Sequence, residues 1–353
     1  MRGYPHFCPY YTLRELIEFL GGEGYYVQRT RPASQRCAYG RVFHALVSAL
    51  PRIPFSKPPL SVPDQLALLV SRGLAVSDAA EATHYLTHIG YYRFSGYALP
   101  FQIGGTGPDR HNFKPGATFD KILDRYVFDR KLRLLVMDAV ERIEISVRAA
   151  LSNAIAARHG AHWYLNPMLF NPRFDHARFI DDIKRQIGHA PANRSRRDIY
   201  IEHYYQTYST PEPPPSWMVF ESVSFGTISF AYMNLTAPEF ASVCGSYGLP
   251  HPVLVSWLHS INYIRNICAH HARLWNRECR IKPMIARAFK ADLTPNQRIY
   301  AQLVVMQIML AKIAPGNHWA QKLRDLLAEH PALPLVSTGF PAGWPSRKIW
   351  GLA

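Results

Sequence analysis

The sequence predicts an all-α protein: a multi-helix core with one very long central helix and a smaller helical region ahead of it. Three observations predict this. Between about residues 119 and 158, Ile122, Leu132, Val136, Ile143, Val147, Leu151 and Ile155 recur with others at threes and fours, the spacing of a helix with one buried face. Shorter apolar stretches on either side begin at capping residues and end at glycine or proline. No stretch alternates apolar and polar residues with period two over a convincing series of strands.

In chain order, residues 1–52 read as a poorly defined extension with little periodic apolar content. Within it Thr12 and Glu15 would cap a short helix ending at Gly21-Gly22. Residues 53–117 form the N-terminal helical region. Ser61, Pro63 and Asp64 open its first helix, which Gly73 ends, and a second starts after Ser77 and runs to Ile89. The aromatic turn Gly90-Tyr91-Tyr92-Arg93-Phe94-Ser95-Gly96-Tyr97 follows. It leaves two readings open: a platform for unpaired bases, or a core corner around a buried Arg93. Residues 102–118 are a loop or a short hairpin.

Residues 118–330 make up the main helical domain. Thr118 caps the long helix, Gly160 follows its end, and its length is roughly 60 Å. On it Glu144 and Arg148 stand four apart, as an exposed ion pair or as a pair supporting the functional helix. A helix over about 172–187 precedes Asn193-Arg194-Ser195-Arg196-Arg197. Arg194, Arg196 and Arg197 read either as a phosphate-contacting patch or as a solvated loop. A tyrosine-rich helix comes next, and Ser216-Trp217 opens another that runs past Phe220 and Phe225. Thr236 and Pro238 start a short helix, and Pro252 starts one reaching about Arg277. Thr294-Pro295-Asn296-Gln297 has the form of a capping box for a helix ending near Ile313. A last helix covers about 317–329, and residues 331–353 read as an irregular tail.

Composition bounds the function. With 353 residues, 48% hydrophobic and 18% charged, the chain is globular and long enough for a sizeable core. Its 40 Lys and Arg against 25 Asp and Glu give a net charge of +15, which reads as a polyanionic partner such as a nucleic acid or as a basic surface that binds nothing specific. Cys8, Cys37, Cys244, Cys268 and Cys279 form no CxxC pair, so a reducing cytoplasm is expected. No apolar run has the length of a membrane span or a signal peptide, and a soluble, unexported protein without membrane contact is expected.

The chemistry concentrates in residues 262–277. On a helix Asn266 and His270 share a face, with Arg273 one turn further on. Arg265 lies about 140° round from His270. Histidine, with an ordinary pKa near 6.5, serves as base or acid; arginine grips phosphate oxygens with two parallel hydrogen bonds. These groups suit cleavage of RNA by its own 2′-hydroxyl; the other reading is a structural polar face on a half-buried helix. No carboxylate cluster or His/Cys set stands at metal-ligand spacing, so neither a metal nor another cofactor is expected.

Arg265-Asn266-Ile267-Cys268-Ala269-His270 resembles the R-x(4–6)-H motif of the HEPN superfamily of endoribonucleases. The surrounding blocks Lys57-Pro58-Pro59-Leu60-Ser61, Gly90 to Tyr97, Phe128-Asp129-Arg130-Lys131-Leu132-Arg133, Glu141-Arg142-Ile143-Glu144 and Cys268 to Arg277 resemble the Abi family. These are the AbiD/AbiF-like abortive-infection proteins of bacteria. The resemblance runs from about Lys57 to Gly339-Phe340-Pro341 and omits residues 1–52. It implies a HEPN-like helical core and a metal-independent endoribonuclease acting in anti-phage defence or as a growth-arrest toxin. It also implies a homodimer that supplies a second motif, and RNA both as substrate and as a small structured regulator. Arg265 and His270 would be catalytic with Asn266 in support. The variable spacing also admits His271, while the family pattern and the Asn266 stripe favour His270. Arg273, Arg277 and the 194–197 arginines would contact RNA. The alternative is a non-catalytic RNA-binding module of a defence system.

Overall fold

The computed structural model describes residues 54–351; the extension, including the expected helix after Thr12, lies outside them. Among the described residues there are helices, short 3₁₀ turns and three isolated β-bridges but no strand, so the fold is all-α. The chain divides into two compact units, one ending at Tyr126 and the other starting at Val127.

In the first unit, α1 (Val62–Ser71) has Pro63 in its first turn and Ser61 as its cap. As expected, α2 (Ala79–Ile89) starts after Ser77; Asp78 caps it, accepting from the amides of Ala80 and Glu81 at 2.8 and 2.9 Å. The aromatic segment is not a turn but a third helix, α3 (Tyr91–Ala98). Gly90, at φ +82°, makes the corner, a conformation open to glycine at little cost. Phe94 and Tyr97 are buried, and Phe94 stacks on Phe119 at 4.5 Å. The core-corner reading holds for these two aromatics, but Tyr92 and Arg93 are exposed rather than buried. Residues 102–113 form a hairpin-like loop closed by one antiparallel bridge, Gln102 to Phe113.

The long helix α4 (Phe119–His159) has 41 residues. In the second unit its stripe Phe128, Leu132, Val136, Ile143, Val147, Leu151 and Ile155 is buried throughout, as the periodicity requires. There follow α5 (His176–Gln186), α6 (Ile199–Thr207), α7 (Ser216–Ser222), α8 (Phe225–Met233), α9 (Ala237–Tyr247), α10 (His251–Ala269), α11 (Ile299–Ile313) and α12 (Trp319–Ala328). The expected single helix past Phe220 and Phe225 is two helices. Val223 and Ser224 are extended, and the Ser224 hydroxyl caps α8 by accepting from the Thr227 amide. α11 begins at Ile299, after the proposed capping box, because Arg298 is still extended. Every residue of α11 from Ile299 to Leu310 is buried, the mark of a helix enclosed on all sides. α10 packs against α8, α9 and α11.

The C-terminal stretch is irregular in secondary structure but packed. Phe340, Trp344, Ile349 and Trp350 are buried in the core. The Trp350 indole donates to the Tyr300 hydroxyl at 3.2 Å, and Arg324 donates to the Trp350 carbonyl at 2.6 Å.

Burial also fixes a pH dependence. His251 lies flat against Phe240, with ring centroids 3.6 Å apart, and its Nε2 has no hydrogen-bond partner. Desolvation lowers its pKa below the ordinary 6.5, and His162 is lowered for the same reason. A lowered pKa means that the unfolded chain takes up these protons first as pH falls. Stability is therefore intact above about pH 6.5 and is lost as pH falls from there toward the lowered folded values. The melting temperature should drop between neutral pH and pH 5, and His251→Phe should flatten the drop. An identical slope in the variant would remove His251 as its source.

Candidate active site

α10 is laid down by its apolar register. Val253, Leu254, Trp257, Leu258, Ile261, Ile264, Ile267 and Cys268 are all buried, so one face is fixed in the core and the other is left to polar residues. His259, Asn266 and His270 are exposed, and Asn262 and Arg265 are half-buried.

The helix stops at Ala269, well short of Arg277. His271 adopts φ +54°. Its amide donates to the Cys268 carbonyl and that of Ala272 to the Ile267 carbonyl, both at 3.0 Å. This is the Schellman end of a helix, built with histidine at the position glycine usually takes. The left-handed conformation costs a non-glycine residue about 1–2 kcal/mol, so the surrounding structure must hold it. The expected continuation of the Asn266–His270 stripe to Arg273 is therefore overturned, since the chain has reversed before Arg273.

What holds the reversal lies 145 residues earlier in the sequence. The Asp129 carboxylate on α4 is fully buried. It accepts from the Trp275 amide at 2.6 Å and the Leu274 amide at 3.2 Å, and pairs with the buried Arg133 one turn along α4. Leu274 and Trp275 are buried. Cys268 sits in this environment. Burial pushes its thiol up to about 12, the Arg133 charge opposing and the Asp129 charge adding to the rise, so it is no nucleophile at neutral pH.

Arg265 points from α10 into a cleft of about 600 Å³. Asp138, Glu141, Glu144 and Arg148 from α4, and Glu221, line it as well. The Glu144–Arg148 pair is not an exposed one: Arg148 is buried, pairs with Glu144 and donates to the Phe220 carbonyl. Arg265, by contrast, forms no ion pair among the described residues. Its Nη1 lies 3.4 Å from Asn266 Oδ1, and its Nε is buried without a partner. His270 does not line this cleft; it stands at the helix end on the Asn266 face. The chain thus brings Arg265 to Asn266 and leaves His270 a turn away.

The outlying arginines divide. Arg197 belongs to the fold: it donates to the carbonyls of Gly188 and His189, pairs with Glu202 and lies 4.2 Å over the Tyr205 ring. That corrects its assignment to a phosphate-contacting patch. Arg194 is exposed and paired with Glu202, and Arg196 is exposed. Arg277 donates to the Arg273 carbonyl at 2.8 Å, and both are half-buried.

A family model described as Abi-like protein matches residues 84–276, more than half of the chain. The chain belongs to the Abi-like protein family. The Abi-like match starts within α2 and closes at Asn276, just after the turn that Asp129 anchors. It therefore takes in the long helix, the cleft and the whole of α10. No curated protein and no solved structure matches the chain. No helix among the described residues is long and apolar enough to cross a membrane.

Asp129 and Arg133 are residues that sequence reasoning left without a role, although they lie in one of the blocks resembling the Abi family. Their signal was an acid and a base four apart beside the buried Phe128–Leu132 stripe.

Proposed function

We propose that this Abi-like protein is a metal-independent endoribonuclease of the HEPN type, acting in abortive infection or growth arrest and completed by a second copy of itself. Family membership supports the defence role. The observation that carries the nuclease reading is the state of Arg265, a guanidinium held half-buried with Nε unpartnered and no ion pair, although four carboxylates line its cleft. Such a group is available to an anionic ligand, and a phosphodiester accepts two of its hydrogen bonds at once.

In this reaction an imidazole takes the proton of the 2′-hydroxyl, the O2′–P bond forms, and the O5′–P bond breaks. A second imidazole gives its proton to O5′, and Arg265 stabilises the charge on the phosphoryl oxygens. His270 is exposed and open to substrate, and Asn266, one turn before it, lies 3.4 Å from the guanidinium. The base and the acid are two groups, so the reading assigns one to each copy. Arg194, Arg196, Arg273 and Arg277 hold the backbone of the RNA, whose binding the net charge of +15 favours.

Expression of wild type and His270→Ala in bacteria, with mapping of RNA ends, tests this. Wild type should arrest growth and leave fragments with cyclic-phosphate or 3′-phosphate ends, absent with His270→Ala, and the purified activity should survive a chelator. Growth arrest without His270-dependent fragments would leave only an RNA-binding module.

A further inference from the structure

A second cavity opens nearer the start of α10, with a volume of about 560 Å³. Asn262 and His259 of α10, Ser229, Phe230 and Met233 of α8, and Asp182 of α5 are among the residues that line it. On helical spacing His259, Asn262, Asn266 and His270 form one stripe, and Asn262 precedes His270 by two turns, about 12 Å along the axis. The cavity is thus the upstream end of the face on which the imidazole stands.

We propose that this cavity receives an unstacked adenine of the RNA, two turns before the scissile phosphate; this deepens the nuclease reading and rests on RNA being the substrate. Unpaired bases are held by stacking on an exposed ring and by hydrogen bonds to their edges. Both are present. Phe230 is 46% exposed at the cavity, and Met233 is 42% exposed beside it. The Asn262 amide makes no side-chain hydrogen bond among the described residues, so its donor and acceptor are both open, the pair that matches adenine's ring nitrogen and amino group.

The neighbouring polar groups are fixed. The Gln186 amide donates to Asp182 Oδ2 and to the Thr227 hydroxyl and accepts from the Ser224 amide, each at 2.8 Å. Asp182 is engaged at both oxygens, by Arg185 and by Gln186, which leaves the Asn262 amide as the contact that reads the base. An adjoining cavity of about 680 Å³ shares Asp182 and Phe230 and is bordered by Arg178 and Arg185. Asp175 and Asp181 line that cavity too, so it carries acidic as well as basic side chains.

The test measures binding of 2′-fluoro oligonucleotides, of adenine or of uracil, to the full chain; without a 2′-hydroxyl they bind but cannot be cut by transesterification. The adenine oligomer should bind about tenfold tighter than the uracil one, the value of one good contact of this kind. Asn262→Ala should erase the preference. Phe230→Ala should weaken the adenine oligomer by about tenfold, and Phe230→Tyr should restore it. Equal binding of both oligomers, no binding, or a preference that survives Asn262→Ala and Phe230→Ala would overturn the pocket. Cleavage lost in His270→Ala alongside an Asn262-independent preference would remove the pocket and keep the nuclease. An Asn262-dependent preference without any cleavage would do the reverse.

Discussion

Asp129→Ala is expected to lower the unfolding free energy by about 3–5 kcal/mol, the usual cost of removing one partner from a buried ion pair. The loss has two sources. Arg133 is left buried and charged without the carboxylate that neutralises it. The amides of Leu274 and Trp275 lose their acceptor where water does not reach, a desolvation penalty of about 1–3 kcal/mol for each unsatisfied group. Against the 5–15 kcal/mol typical of a folded domain, this is a large fraction. Asn at 129 keeps an acceptor for the Trp275 amide but drops the charge, so Asp129→Asn should fall between. Urea denaturation followed by circular dichroism measures both. An Asp129→Ala midpoint that puts the loss below about 1 kcal/mol would show that the turn is held by the burial of Leu274 and Trp275 instead.

The Asp129 anchor also marks how far the sequence could be read. The long helix was legible because its signal is local: apolar residues at threes and fours over forty positions, with Thr118 before them and Gly160 after. The start of α10 was legible at Pro252 for the same reason. Its end was not, because the stop signal looked for is glycine and the chain uses His271 in a left-handed conformation instead. Asp129, 145 residues before Leu274, holds that conformation, and no window of sequence contains both ends of the contact. The break between α7 and α8 was missed because Phe220 and Phe225 are both buried, which keeps the apolar signal running through a chain that has turned. Of the candidate site, the residue types were visible but their directions were not. Spacing put Arg265 about 140° from His270, and only packing shows it turned toward α4 with its head against Asn266. Arg197 reads in sequence like its neighbours Arg194 and Arg196, and only the cage of Gly188, His189, Glu202 and Tyr205 sets it apart.

Purified wild type mixed with an excess of His270→Ala should lose RNA-cleaving activity as the square of the wild-type fraction. His270→Ala alone should be slower by about 10²–10⁴, the contribution of a positioned general acid or base. The quadratic law follows from the two-copy site: if the base comes from one protomer and the acid from the other, only dimers with two wild-type copies keep both. A self-sufficient protomer would give a linear fall. The geometry favours the first outcome. One protomer offers a single imidazole within a turn of Asn266 on that face, since His259 lies two turns back and His271 sits in the reversed backbone beyond it. Beside Arg265, α4 also presents Leu134 and Ile145 at 60% and 54% exposure. These residues are three helical turns apart, with Asp138 and Glu141 between them on the same stripe. Two large apolar side chains flanking a charged cleft are what a second copy would cover on docking there. Leu134→Glu with Ile145→Lys should therefore cut activity as deeply as His270→Ala while leaving the thermal melt of the protomer nearly unchanged, since neither side chain is buried within it. Full activity in that double variant, or a linear mixing curve, would place the whole reaction within one chain.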